Sequence, residues 1–167
     1  MYLFDTEQGV GKGVLQATIA LDANNATKAH DVFEVSGIVK IKRLRGVLKT
    51  KTTLTNMTDC HFNLNDGTID VPITLENGLT MSTVAVGSIV DRINVATSVA
   101  NFVNVATCAV NDSQWADFWQ SEFVVAQKAS TATNIQWVYT TTDAPIDATM
   151  DFYVEFEGIN GGYLSVA

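Results

Sequence analysis

The chain has 167 residues, enough to bury a hydrophobic core without disulfides or metals, and it fits one domain. Twenty Thr, twenty Val and twelve Asn against six Glu favour strands and turns, because β-branched residues suit a pleated sheet and Asn suits turns. The net charge of −8 argues against general nucleic-acid binding, and we expect neither a membrane span, which needs an apolar stretch of roughly 18 residues, nor a secretion signal.

The first part of the sequence predicts an arm followed by a strand. Residues 1–13 contain alternating glycines and are expected to form a flexible N-terminal arm. Residues 14–167 are expected to form a single β-sandwich domain that starts with a strand over residues 14–21. Residues 22–25 are rich in Asp and Asn, which is typical of a turn.

Residues 32–48 form the clearest predicted strand. Phe33 and Val35 fall on one face at the period of two that strands show, and Glu34 falls on the other. Because glycine inside a strand often marks a bulge, we expect a bulge at Ser36–Gly37.

A hairpin is predicted next, with strands over residues 60–64 and 68–75. The Asn-Asp-Gly sequence at residues 65–67 is a strong turn signal between them. Pro72 lacks a backbone donor, so the second strand is expected at a sheet edge.

The middle of the chain combines a strand pattern with a helical one. Alternation around Phe102 predicts a strand within residues 83–110. Aromatic residues at 115–123 have helical spacing and predict one or two short helical turns.

The last strands are predicted over residues 134–141 and 149–157, and Asn160–Gly162 is expected to end the second of them. The predicted core residues are Phe33, Val35, Phe152, Val154 and Phe156. About eight short strands separated by turns indicate an all-β fold, a single β-sandwich for which a jelly roll is one arrangement.

Residues that carry most enzyme chemistry are scarce. His61 follows Cys60, but neighbours in a strand point to opposite faces, so both His61 and His30 are interpreted as structural. Cys60 and Cys108 do not make a disulfide framework and, with His61, supply only part of a zinc site. We therefore expect no catalytic residue, no cofactor and no metal site.

Three further patterns have simpler interpretations than chemistry. The glycines of residues 9–13 resemble a phosphate-binding loop, but no strand precedes them and no helix follows. Residues 63–66 offer oxygens to calcium, although turn formation by Asn and Asp explains them. Asp151, Glu155 and Glu157 share a strand face, and an exposed acidic face accounts for them without a glycosidase site.

Positive charge is concentrated between residues 40 and 51. The run consists of Lys40, Lys42, Arg43, Arg45, Lys49 and Lys51. No acid interrupts it, whereas the rest of the chain has four bases and eighteen acids. One interpretation is a solvated strand face. The other is a protein interface that binds acidic surface on a copy of the chain or on another protein, with Arg43 and Arg45 as the strongest members. Nucleic acid is a weaker alternative, because the aromatic residues that would stack bases lie elsewhere.

Residues 30–40, His-Asp-Val-Phe-Glu-Val-Ser-Gly-Ile-Val-Lys, resemble the opening of a family of small β-rich head-associated virion proteins of tailed bacteriophages. Residues 135–140 and 151–156, followed by a Gly-rich polar end, resemble the late region of that family. The resemblance covers about a quarter of the chain and implies a decoration (cement) subunit or a capsid-bound part of a spike. It brings no catalytic residues, and the basic run differs from the family.

The expected function is therefore that of a non-enzymatic viral structural protein. We expect a capsid decoration subunit, a homo-oligomer with a trimer preferred, that binds the major capsid protein and stabilises the phage head. It would be made in the host cytoplasm and lie on the capsid exterior of the virion, with neither membrane nor nucleic acid as a partner. The alternative is a carbohydrate- or receptor-binding module of a phage fibre or spike, with Trp115, Trp119 and Trp137 as stacking platforms. A glycan-cleaving enzyme is a more distant third.

Overall fold

The structure is a computed structural model, and it describes residues 4–5, 10–22, 26–53, 57–74, 80–81, 84–92, 100–103, 122–129, 131–141 and 146–167. The strands in these residues are β1 (Phe4–Asp5), β2 (Val10–Leu21), β3 (Thr27–Thr53), β4 (Met57–Asn65), β5 (Asp70–Pro72), β6 (Ile89–Arg92), β7 (Ala100–Val103), β8 (Phe123–Ala126), β9 (Thr133–Thr141) and β10 (Asp147–Val166). The described ranges contain no helix, and every strand pairing in them is antiparallel. The prediction of an all-β fold is confirmed.

The long strand β3 organises the sheet. One of its edges pairs with β10 from Phe33 to Thr53. Its other edge pairs in succession with β9, β8 and β6. The main strand order is β1-β2-β10-β3-β9-β4-β5, with β7 added beside β6. Different parts of β3 therefore pair with different strands along the same edge.

Ring contacts show that this sheet folds over on itself. Phe152 on β10 lies opposite Gly46 of β3, and Trp137 on β9 lies opposite His30. A straight strand would hold those two positions of β3 about 50 Å apart. The rings of Phe152 and Trp137 have centroids only 5.6 Å apart, and Phe62 on β4 lies 6.0 Å from Phe152. The arrangement is sandwich-like, with one layer around β2, β10 and the second half of β3 and the other around β4, β9 and the first half of β3.

A bulge rich in glycine marks where β3 and β10 change course. Ile159 pairs with Ile38 and Tyr163 with Ser36, so residues 160–162 of β10 all lie against Gly37. Gly37 has a φ of 69°, in the left-handed region that favours glycine. A Cβ on Gly162 would lie 2.0 Å from the carbonyl oxygen of Ile38, so no larger residue fits. The predicted irregularity at Ser36–Gly37 is confirmed, and its extra residues belong to the partner strand.

Several predicted boundaries are wrong. Asn160–Gly162 does not end the last strand, which continues to Val166. β2 begins at Val10 and so includes residues 10–13 of the expected arm. Phe123 begins strand β8, whereas helical spacing had placed it in a turn of helix. Residues 115–121 of that expected helical segment, and the predicted strand beyond residue 103, lie outside the described residues.

The predicted hairpin and core are confirmed. β4 and β5 pair antiparallel across the Asn65–Gly67 turn, and β5, with Pro72, closes one end of the main strand order. The five predicted core residues are all buried: Phe33, Val35, Phe152 and Val154 at 0 % exposure and Phe156 at 5 %. The period of two therefore gave the correct inward face on both β3 and β10.

Candidate functional site

The basic run and the acidic residues of the last strand are cross-strand neighbours. Lys40 lies opposite Glu157, and Arg43 lies opposite Glu155. Lys42 has no residue directly opposite, because the pairing shifts between Glu155 and Phe156. Residues directly opposite in a sheet share a face, so the positive row of β3 lies beside the negative row of β10.

Glu157 contacts two lysines of the basic run. Its Oε2 lies 3.0 Å from the Nζ of Lys42 and 3.8 Å from the Nζ of Lys40. The hydrogen bond from Lys42 holds the pKa of the Glu157 carboxyl below its usual range. Lys40 also binds Glu122 at 2.9 Å, and that contact raises the pKa of the Lys40 ammonium. Lys40 and Lys42 therefore lie on the same face of the sheet.

A second contact lies farther along the same pair of strands. Asp151 is nearly buried, and its Oδ1 accepts a 2.5 Å hydrogen bond from the hydroxyl of Thr18 on β2. The Nζ of Lys49 lies 3.2 Å from Oδ2 of the same carboxylate. Lys51 donates a 2.6 Å hydrogen bond to the carbonyl oxygen of Val84. Asp151 is therefore a buried anchor, and the prediction that it lies on an exposed face is wrong.

The basic run contains no acid in the sequence, but in the fold it lies next to acidic residues. Lys40, Lys42 and Lys49 each contact a carboxylate of the same chain. Arg43 is exposed, and no ion pair of its guanidinium occurs within the described ranges. Arg45 is half-buried, and the residues opposite it in the neighbouring strands are Tyr153 of β10 and Asp91 of β6. That the run forms an interface stays a prediction, with the charge of the run now largely balanced by its neighbours.

Apolar side chains lie among these charges. Val14 of β2 lies opposite Glu155 and is 61 % exposed, and Val124 of β8 lies opposite Lys40 and is 58 % exposed. Strand pairing also places Lys12 of β2 beside Glu157. We call this surface the charged face, and it comprises Lys12, Val14, Lys40, Lys42, Arg43, Arg45, Val124, Tyr153, Glu155 and Glu157. Sequence reasoning missed Lys12, Val14 and Val124, because alternation indicates a face but not its neighbours across the sheet.

Both histidines have local partners. The ring of His30 stacks on Tyr139 with centroids 5.6 Å apart, and its Nε2 lies 2.9 Å from the Tyr139 hydroxyl. That hydroxyl also donates to the backbone carbonyl of Asp22, at 3.1 Å. Lys28 binds the Asp22 carboxylate at 2.9 Å and lowers its pKa. This cluster joins the end of β2 to β3 and β9, which agrees with the structural interpretation of His30.

The Cys60–His61 pair is part of an irregularity in β4. The pairing of β4 with β9 shifts between Thr58 and His61, and Asp59 has a φ of 53°. Both Cys60 and His61 are buried as a result, and the Nδ1 of His61 lies 2.6 Å from the Asp59 carbonyl oxygen. Cys60 is a free thiol whose pKa is raised by burial, and Cys108 lies outside the described residues.

Of the side-chain oxygens that residues 63–66 offer to calcium, those of Asn65 and Asp66 are engaged in the hairpin turn, whereas the buried Oδ1 of Asn63 has no hydrogen-bond partner among the described residues. Asp66 Oδ1 accepts hydrogen bonds from the backbone amides of Thr68 and Ile69, and Asn65 Oδ1 accepts one from Gly67. Within the described ranges, no group of three or more His, Cys, Asp or Glu side chains is placed to hold a metal ion. The glycine pattern of residues 9–13 runs into strand β2 from Val10 onward, and residue 9 itself lies outside the description.

Trp137 is unsuited to stacking on a sugar. Its side chain is fully buried, and its ring lies 5.0 Å from Phe62 in the core. The other two tryptophans proposed as platforms, Trp115 and Trp119, lie outside the described residues. One of the three expected platforms is therefore a core residue.

Comparison with known proteins found no matching family model, no matching curated protein and no matching solved structure. Among the residues described, no helix is long and apolar enough to cross a membrane. The charged face is thus characterised by its own geometry alone.

Proposed function

We propose that the protein is a non-enzymatic structural subunit that works by binding protein surfaces, of the kind that decorates a bacteriophage head. Such a subunit would bind the major capsid protein over the joints between capsid subunits. The added contact area across those joints would stabilise the shell without any catalysis.

The observation that carries this proposal is the composition of the charged face. It combines matched charges on neighbouring strands with exposed valines at Val14 and Val124. This mixture is compatible with a protein interface, since interfaces are about as apolar as protein surface in general. The family resemblance of residues 30–40 and of the last two long strands supports the more specific assignment to a phage head.

Co-sedimentation with undecorated capsids tests the proposal. Wild-type protein is expected to pellet with the capsids and to saturate at many copies per particle. Because charge contacts are screened by salt, binding is expected to weaken along a salt series. Arg43→Glu/Arg45→Glu is expected to bind less well than wild type. Absence of binding at every salt concentration, or saturation at a few copies per particle, would contradict a decoration role.

A further inference from the structure

Two rows of opposite charge run side by side along the charged face. The row on β10 carries Glu155 and Glu157, and the adjacent row on β3 carries Lys40, Lys42, Arg43 and Arg45, of which Lys42 already contacts Glu157 of the same chain. Neighbouring strands lie about 4.8 Å apart, so the face has one acidic and one basic stripe that are parallel and close.

This pattern is complementary to itself under one rotation. A two-fold axis that runs parallel to the strands, above the face and midway between β3 and β10, relates the chain to a second copy packed face to face with it. The rotation exchanges the two stripes, so each acidic stripe meets the basic stripe of the other copy. A two-fold axis perpendicular to the strands would instead place like charges together, which costs free energy.

The exposed valines lie on the two strands that flank the stripes. β2 flanks the acidic stripe and β8 flanks the basic one. The rotation that matches the stripes therefore brings Val14 of one copy onto β8 of the other, about two residues along the strand from Val124. Both valines are more than half exposed in the single chain, and each would lose contact with water in the pair.

We propose that the charged face pairs with the charged face of a second copy of this chain, about a two-fold axis parallel to β3 and β10. Glu155 and Glu157 of one copy would face Arg43 and Lys40 of the other. The inference rests on the proposed function of an assembling subunit, and it makes the charged face a surface that holds either a second copy or the capsid, not both at once. It gives a dimer, or an assembly of dimers, in place of the trimer preferred from the sequence.

The size of the face sets the expected affinity. Four strands about 4.8 Å apart and about six residues long cover roughly 400 Å² of plane per copy. That is below the about 800 Å² per partner of a standard interface, so the association should be weak and concentration-dependent. Sedimentation equilibrium extended to high micromolar concentration is therefore the suitable measurement.

The test uses two full-length variants that reverse the charges expected to meet across the axis. Lys40→Glu/Arg43→Glu would set carboxylate against carboxylate, and Glu155→Lys/Glu157→Lys would set cation against cation. Wild type is expected to form a dimer of the 18.1 kDa chain. Each variant alone is expected to be monomeric, and an equimolar mixture of the two is expected to recover the dimer.

Two further variants keep the test decisive if the charge variants fold poorly. Val14→Arg changes a side chain that is 61 % exposed, and it is expected to weaken the dimer by about tenfold because a charged side chain would replace an apolar one between the two copies. Lys128→Glu is the matched control, because Lys128 contacts Asp66 at the hairpin turn and lies off the face. It is expected to dimerise like wild type.

Three results would overturn the inference: a monomeric wild type throughout the range, a trimer, or charge variants that dimerise as wild type does. A monomeric wild type that still binds capsids would overturn the two-fold pairing and leave the proposed function standing. A wild type that dimerises but binds no capsid would leave the two-fold pairing standing and overturn the proposed function.

Discussion

Replacing Phe152 by alanine tests the packing of the two layers. The ring of Phe152 is fully buried and contacts Phe62 and Trp137, which belong to the opposite layer. Truncating a buried phenylalanine costs about 3–5 kcal/mol in all, with the loss of its aromatic contacts included. We expect a loss of about 4 kcal/mol, a large part of the roughly 5–15 kcal/mol that stabilises a typical domain. At about 2–4 °C per kcal/mol for a chain of this length, the melting temperature should fall by roughly 8–16 °C.

Urea unfolding followed by tryptophan fluorescence measures this loss. Phe152→Leu keeps most of the volume and should cost less than about 1.5 kcal/mol. Val14→Ala, at an exposed position, should stay within about 0.5 kcal/mol of wild type. If Phe152→Ala cost no more than Val14→Ala, the two layers would not pack through this ring, and the sandwich-like arrangement would be wrong.

Three other predictions follow from the described contacts. Gly162→Ala should prevent normal folding because its Cβ would meet the backbone of Ile38. Gly161→Ala meets nothing within 4 Å and should cost only about 1–2 kcal/mol of left-handed strain. Equal losses of unfolding free energy in urea for the two variants would disprove the bulge geometry. The lowered pKa of Glu157 means that its ion pair stabilises the fold above the unfolded pKa of about 4.5, and this stabilisation is lost as the pH falls through the lower folded value. Glu157→Gln should therefore flatten the fall in stability below pH 4.5. An unchanged slope of stability against pH would contradict this. In a Cys108→Ser background, the buried Cys60 thiol should resist iodoacetamide at pH 8 until urea is added, and rapid labelling of the native protein would show that it is accessible.

Local patterns in the sequence predicted the fold class, the hairpin and the inward faces well. Phe33, Val35 and Phe152 were identified as core residues from a period of two, which depends only on the geometry of a single strand. The Asn-Asp-Gly turn was equally local, because its side-chain oxygens bind the backbone of the next few residues.

Features that depend on strand pairing were not predictable in the same way. Asn160–Gly162 looks like the end of a strand, and only the presence of Gly37 on β3 turns it into a bulge within a longer strand. The balance of the basic run by Glu157 and Asp151 likewise depends on the pairing of β3 with β10, more than 100 residues apart in the chain. A single sequence records charges in order along the chain, and the neighbours across a sheet are set by register, which local patterns do not encode.

Imaging of capsids reconstituted with the purified protein tests the head-decoration role. Low-resolution electron cryomicroscopy of decorated and undecorated particles is expected to show added density over the joints between major capsid subunits, repeated across the shell. Particles that gain no density after incubation, or that gain it only at the tail or fibres, would contradict a head-decoration role.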